Sequence, residues 1–486
     1  MPRTRPLLAA AAALTLAAVA ACSSGGAETG ETVLSSECTP VAAAAGGAAP
    51  AATAYGVPAP SAGVAEYGQD PNNPDLYRGP NGFCFDVTSC PEDWNVDAGI
   101  SATGVNLFTS MPFSGPLAPY GYIGTGIGNY FDHVNANGGI GGKQVTFDVK
   151  DDQYQPDLTR KNVDDAIASG NYAASFASVG TANNGAVRDV MNSECMGQFL
   201  VGSSDPKWGD PQNYPWTTGM GLDYYSESNL WARFLEQKFP QGGRIEIVHI
   251  NNDFGKTYVA GLQRALQGSN LTIAETLPHD PQAPNLDNQI TTAAASNADA
   301  LVLITAGTFC AQGLAAVEKS AWNPVVVTGN SCAQISTTFT PLTAQGLTGN
   351  GTNVVRYYYA PTDPDAEDQQ FATLMTDQLR AGGLDPAEAQ YANGWFWGWY
   401  IASVLQNASQ MRGGLNRANI LVASYTVDQE YPMLVSGVTS VTAGNDDAYL
   451  FESGQVYSYA DGGWTKQGQF ISNEGKQKNW TSLSGG

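Results

Sequence analysis

Charge is scarce in this 486-residue chain: Asp, Glu, Lys and Arg make up 14% of it, against roughly a quarter of ordinary soluble domains. Basic residues are scarcer still. Lys plus Arg number 22 and Asp plus Glu 45, a formal charge of −23, so there is no material for a basic groove and no nucleic-acid partner is expected. Histidine occurs only as His133, His249 and His279. With no HExxH and no GxSxG, the zinc-hydrolase and serine-esterase signatures are missing. GxGxxG is missing too. Gly255-Lys256-Thr257 follows a strand pattern and opens a helix pattern, but a phosphate-binding loop needs glycine where Ile250 stands. No CxxC spacing points to zinc or redox chemistry. An enzyme, a cofactor and a metal site are therefore not expected.

No apolar run reaches the 18 or so residues of a membrane span. The longest opens the chain: Arg3 and Arg5 precede Leu7 to Ala21, which reads as a secretion signal over residues 1–21. Val19-Ala20-Ala21-Cys22 followed by Ser23-Ser24 resembles a bacterial lipoprotein processing site, with Cys22 as the lipidated residue and an extracytoplasmic, membrane-anchored protein as the outcome. Residues 23–74 hold no Lys or Arg and are mostly Ala, Gly, Ser, Thr and Pro, a composition that buries too little to offset chain entropy. They read as a flexible tether with a reach of roughly 40 Å. Residues 22–97 as a whole read as that tether plus a small cysteine-containing segment over 75–97.

Six cysteines follow Cys22: Cys38, Cys84, Cys90, Cys195, Cys310 and Cys332. An even count in an oxidising compartment suggests disulfides, though six thiols allow fifteen full pairings. Spacing favours Cys84 with Cys90, across a five-residue loop, and Cys310 with Cys332, just past two successive strand patterns. Cys38 and Cys195 remain over.

From residue 103 strand and helix patterns alternate. Val105 to Thr109 is a strand; Tyr120, Ile123, Ile127, Phe131 and Val134 have helical spacing up to Asn137-Gly138-Gly139; Gln144 to Lys150 is the next strand, closed by Asp151-Asp152. Helix 157–169, strand 173–178, helix 184–194 and strand 198–202 continue a rhythm that implies a parallel sheet. A second series runs from a helix over 222–239 through strands 244–250, 271–276, 300–305 and 324–328, each followed by a helix or a turn. Helices near 371–379 and 388–410 come next, then a hairpin pattern over 448–469. Trp395, Trp397 and Trp399 cannot share one helix face, and packing is their expected role. Gly121, Gly124, Gly126 and Gly128 lie inside a helix pattern, where small residues permit close packing. Asp151 and Asp152 have no partner ligands near in sequence and read as capping or solvated. The rhythm places the chain in the α/β class, with two lobes built on parallel sheets.

The stretch Phe108-Thr109-Ser110-Met111-Pro112-Phe113-Ser114-Gly115-Pro116, then Tyr120-Gly121 and Asn135-Ala136-Asn137-Gly138-Gly139, is similar to the opening of type I periplasmic binding proteins of the leucine/isoleucine/valine-binding branch. Asp151-Asp152, Gly180-Thr181-Ala182-Asn183 and Asn252-Asp253-Phe254-Gly255 agree in order, over about residues 103–435. The resemblance implies two Rossmann-like lobes with parallel sheets joined by a hinge (lobe I over 98–219 and 355–435, lobe II over 220–354 and 436–486), a small molecule in the cleft, no catalysis, and a permease of an ATP-binding-cassette transporter as partner to a monomer. A ligand carboxylate would meet Thr181 and Ala182 after the third strand and Ser203 and Ser204 after the fourth. Ser114, Tyr120 and Phe254 would contact or cover the ligand, and Thr308, Asn330 and Ser331 would line the later strand ends. Amino-acid binders of the family carry an acid in lobe II for the ligand's ammonium, whereas the matching loop reads Thr328-Gly329-Asn330-Ser331-Cys332. Either another acid such as Asp253 replaces it, or the ligand is an amide or a carboxylate. A sensing or scaffold lipoprotein on the same fold is the alternative function.

Overall fold

The computed structural model describes residues 34–35, 37–41, 54–115 and 117–484; the secretion signal and Cys22 lie outside them. Short antiparallel strands β1 (Gly68–Gln69), β2 (Leu76–Arg78) and β3 (Cys84–Asp86) come first. Five parallel strands follow with their helices: β4 (Gly104–Met111), α1 (Gly121–Ala136), β5 (Gln144–Asp151), α2 (Pro156–Ser169), β6 (Ala174–Phe176), α3 (Thr181–Ser193), β7 (Gly197–Val201) and β8 (Thr217–Gly219). Their order in the sheet is β5-β4-β6-β7-β8, with Leu107 level with both Phe147 and Ala174.

The second sheet begins after α4 (Tyr224–Lys238). It is built from β9 (Gly243–Ile250), α5 (Asp253–Ala265), β10 (Leu271–His279), α6 (Asp287–Ala295), β11 (Ala300–Ile304), α7 (Thr308–Lys319), β12 (Val325–Thr328), the short α8 (Thr340–Thr343) and β13 (Asn353–Arg356). α9 (Gln369–Ala381), α10 (Ala389–Gln410) and α11 (Arg417–Ser424) then pack against α1 and the first sheet. The chain comes back to the second sheet as the antiparallel hairpin β14 (Ser453–Ala460) and β15 (Gly463–Ser472), and α12 (Trp480–Ser484) ends the described residues. The seven strands lie in the order β10-β9-β11-β12-β13-β14-β15. Strand β11 is buried at every position, the near-continuous apolar signature of a parallel strand covered on both faces.

Both parallel portions share the order second, first, third, fourth, fifth. In such sheets the crossovers from the first strand leave in opposite directions, and a crevice opens at the C-terminal strand ends. Side-chain caps fix the helix starts that face it: Asp223 accepts from Tyr225 and Ser226 N–H at α4, and Asn252 accepts from Gly255 N–H at α5. Helices α1 and α10 touch through glycine, since a Cβ on Gly126 would stand 2.3 Å from Tyr391 O and one on Gly394 2.4 Å from Ile123 O. Trp395 and Trp399 are buried as the sequence suggested, whereas Trp397 is half-buried and faces the crevice.

Two expectations fail in the N-terminal region. The pairs are Cys38–Cys84, Cys90–Cys195 and Cys310–Cys332, so Cys84 and Cys90 are both bridged but not to each other. Strand β3 and the turn after it carry the two in different directions, one toward the N-terminal strap and one toward the end of α3. Nor is residue 54 onward a tether. Val57, Val64, Phe83 and Phe85 belong to the main core, Ser61 N–H donates to Asn407 Oδ1 at 2.7 Å, and Phe85 meets Trp216 edge to face. Farther back, Thr39 N–H donates to Asp70 Oδ2 at 2.7 Å. The Ala/Gly-rich stretch dominates the composition of the window and conceals these few anchoring side chains.

Candidate functional site

The crevice between the two sheets is a cavity with about 890 Å³ of empty space, counting the part open to solvent. Loops after β4, β5, β6, β7 and β8 form one wall. The start of α4, α5, the loops after β11, β12 and β13, and the first turns of α10 form the rest.

Where the walls meet, three hydroxyls converge beside the N-terminus of α3, two from the first wall and that of Tyr224 from the start of α4. Thr181 Oγ1 lies 2.8 Å from Ser203 Oγ, and the Tyr224 hydroxyl is 3.4 Å from each. Trp208 Nε1–H donates to Ser203 Oγ at 3.0 Å and so anchors it from behind. Burial pushes the Tyr224 phenol up to about 12, which keeps it a neutral hydrogen-bonding group. The first N–H groups of a helix have no partners within it, and with the helix dipole they favour an anion or a carbonyl oxygen at this end. Gly180 takes a positive φ of 109° to turn the chain into α3. Behind the turn, buried Asp152 accepts from Ser110 and Thr159 hydroxyls, each at 2.8 Å, and Asn183 donates to Thr159 at 2.8 Å. That network fixes the helix start. The Asp151-Asp152 pair is thus structural.

The opposite wall is aromatic. Tyr224 and Tyr258 stack at 4.1 Å, Trp231 stacks on Tyr258 at 4.9 Å, and Phe254 meets Tyr224 edge to face at 5.4 Å. Among them sits Glu227, 2% exposed. Its Oε1 accepts the Asn330 backbone N–H at 3.0 Å, and its Oε2 pairs with the Tyr258 hydroxyl. Burial raises its pKa to about 8, although both hydrogen bonds pull the other way. Among the described lining residues Glu227 is the one acid, and no Lys, Arg or His accompanies it. The cavity therefore offers hydroxyls and amides for an oxygen-bearing group and, linked to them through the Tyr224–Tyr258 stack, a carboxyl.

Seven of the ten residues anticipated from sequence line this cavity: Tyr120, Thr181, Ser203, Ser204, Phe254, Asn330 and Ser331. Tyr120 also bridges the walls, its hydroxyl donating to Ser331 O at 3.3 Å. A second bridge joins Thr257 Oγ1 to Asp205 Oδ2 at 2.9 Å. Three residues are not in the lining. Ser114 is held by Asp151, to which its hydroxyl donates at 3.0 Å. Ala182 is in the first turn of α3 but forms none of the wall, and Thr308 begins α7 and lines a separate surface hollow, leaving Ala306 at the cavity. Asp253 is exposed in the first turn of α5 and is not in the lining either.

Glu227 escaped the sequence reading, as did Tyr154, Tyr258, Tyr357, Tyr358 and Gln390. One signal was available. Tyr224, Glu227 and Trp231 stand at i, i+3 and i+7 on a helix and share a face, so an acid lies in an otherwise aromatic stripe.

Solved structures of other proteins share this fold. A branched-chain amino acid ABC transporter protein from Thermus thermophilus with bound valine superposes with a TM-score of 0.67 at 14% identity, covering 80% of this chain and 100% of that one. A fatty acid ABC transporter substrate-binding protein from Thermomonospora curvata gives 0.66 at 17%, covering 79% and 96%. A possible leucine/isoleucine/valine-binding protein from Rhodopirellula baltica SH 1 gives 0.62 at 15%, covering 78% and 98%. At such identities the likeness is one of fold. No curated protein sequence matches the chain. The sequence does match the periplasmic binding protein family over residues 109–451, well over half its length. With two parallel sheets facing each other across a ligand-sized cavity, the chain belongs to the periplasmic binding proteins, in their type I fold.

Proposed function

We propose that this protein captures a small zwitterion, an amino acid or a close analogue, in the cleft and delivers it to an ABC permease from outside the cell membrane, held there by a lipid on Cys22. The observation that carries the reading is the pairing of two unlike polar features in one cavity. The Thr181, Ser203 and Tyr224 hydroxyls at the start of α3 suit a carboxylate, and Glu227 suits an ammonium. Burial pushes the Glu227 carboxyl up to about 8, and an ammonium beside it would favour its ionised form. The aromatic wall suits an apolar side chain and gives a cation favourable ring faces.

Glu227 takes the part that the Asn330 loop lacks. That loop contributes a backbone N–H which orients the carboxylate, while the charge comes from α4. In this reading lobe I comprises 98–219 and 355–435 together with the docked 54–97, and lobe II comprises 220–354 and 436–486. The crossovers near residues 220, 357 and 436 form the hinge. Tyr120 to Ser331 and Thr257 to Asp205 are the contacts that closure makes.

One structural neighbour holds valine and another is named for fatty acids, so the test panel spans both chemistries. Thermal unfolding of the full chain is followed with branched-chain and aromatic amino acids, their amides, their deaminated acids and medium-chain fatty acids. At 100 times its dissociation constant a true ligand stabilises the fold by about 2.7 kcal/mol. A response to amino acids, lost with the deaminated acids, supports the reading. A response to fatty acids alone, or to none of the panel, overturns it.

A further inference from the structure

A second cluster of acids lies away from the cleft, at the base of the β14–β15 hairpin. Asp447 stands in the long connection from α11, Glu452 immediately precedes β14, and Glu474 follows β15. The pairing of Ser453 with Ser472 brings the last two together, and Asn473 N–H donates to Glu452 O at 3.0 Å. One carboxylate oxygen from each of the three residues falls within 4.8 Å of the others. Two oxygens bound to one calcium ion at 2.3–2.6 Å stand at most about 5 Å apart, so the spread fits a single ion.

Acidic side chains often gather on a surface without binding anything, but Glu452 is not on the surface. It is 0% exposed. Its Oε2 accepts the Gly475 N–H at 2.7 Å, while its Oε1 is buried with no hydrogen-bond partner. Asp447 Oδ1 is likewise buried and unpartnered. Glu474 Oε2 is oriented by the Thr439 hydroxyl at 2.7 Å. Among the described residues no Lys or Arg forms an ion pair with any of the three, and Lys478, the cation paired nearby, goes to Asp446. A buried carboxylate oxygen left without a partner costs free energy unless a cation or a proton satisfies it. The Asp151-Asp152 pair differs on this point, since Asp152 has Ser110, Thr159 and the Tyr154 N–H on its two oxygens.

We propose that Asp447, Glu452 and Glu474 bind a divalent cation, calcium by chemistry, which clamps the base of the hairpin to the connection arriving from the first lobe. Hard oxygen ligands, with water completing the shell, suit calcium or magnesium rather than a transition metal. Calcium tolerates the irregular geometry of three carboxylates from separate loops. Because the sequence separations are 5 and 22 residues, no loop motif announces the site.

The experiment uses the full chain, stripped with a chelator and titrated with calcium chloride alone, read by thermal unfolding and by sensitised terbium emission. The unfolding temperature is expected to rise with a midpoint of about 10⁻⁴–10⁻³ M calcium, the range of extracellular calcium modules. Bound terbium should be displaced by calcium over the same range. In the double variant Asp447→Asn, Glu452→Gln both responses should vanish, while its unfolding temperature in chelator equals or exceeds that of the wild type, because repulsion between the carboxylates is gone. No calcium response in the wild type, or an equal response in the variant, overturns the site. A wild type that is instead stabilised only by lowering the pH overturns it too, since the acids would then be sharing a proton. Ligand capture in the cleft does not enter any of these readouts.

Discussion

Glu227→Gln isolates the electrostatic feature on which the ligand reading depends. Glutamine keeps one contact and reverses the other: its carbonyl oxygen accepts the Asn330 N–H, whereas the Tyr258 hydroxyl, which donates to Glu227 Oε2, accepts from the amide N–H₂, as it would from a protonated glutamate. The folded protein raises this carboxyl from 4.5 to about 8, chiefly by burial. A raised acid contributes its stability in full below the unfolded value and loses it as pH climbs through the folded one. A gap of about 3.5 pH units corresponds to roughly 5 kcal/mol above pH 8 and roughly 3 at pH 7, as order-of-magnitude ceilings. The variant has no such loss. Calorimetric unfolding of unliganded protein at pH 5, 7 and 9 should therefore show near-equal stability at pH 5 and an advantage for Glu227→Gln that grows to pH 8 and then levels. Two curves that run parallel from pH 5 to 9 would refute the argument, because Glu227 would then ionise at its ordinary value.

The same proton controls binding. An ammonium ligand should bind with an affinity that rises up to tenfold per pH unit below about 8 and flattens above it, a slope that titration calorimetry at pH 6, 7 and 8 detects and that Glu227→Gln removes. Gly126→Ala places a Cβ 2.3 Å from the Tyr391 carbonyl oxygen, and overpacking between α1 and α10 should lower stability by about 1–3 kcal/mol in chemical denaturation. Deleting residues 23–97 strips Phe83 and Phe85 from the core and breaks the Cys90–Cys195 bridge. Proteolysis and thermal unfolding should show a weakened first lobe, and an unchanged unfolding temperature would restore the simple tether.

The βαβ rhythm was legible because parallel strands such as Ala300–Ile304 are apolar throughout and the helices between them repeat at 3.6 residues. Thr181 and Ser203 were anticipated from the resemblance of their loops to the family, and the strand order explains why loops at the C-terminal strand ends line a crevice. The glycines of α1 carried a usable hint too. What stayed hidden came from elements that change direction. Glu227 belongs to a helix whose register against the cleft depends on how the chain crosses after β8. The Cys90–Cys195 bridge spans 105 residues, beyond anything that local spacing reports. Ser114 and Thr308 sit at strand ends as expected, but Asp151 holds the first and the start of α7 takes the second. In residues 54–97 a handful of aromatic and branched side chains outweigh a polar, turn-rich composition once they find the core.

Ligand capture by this protein turns on the Thr181–Ser203 side of the cleft gripping an oxygen-bearing group. Titration calorimetry of the amino acid that gives the largest thermal shift, against wild type and Ser203→Ala, tests it most directly. Wild type should bind at one site, and the variant should bind roughly 10- to 100-fold more weakly, the worth of a hydrogen bond to a charged group. An affinity unchanged by Ser203→Ala would contradict the claim and move the ligand away from the start of α3.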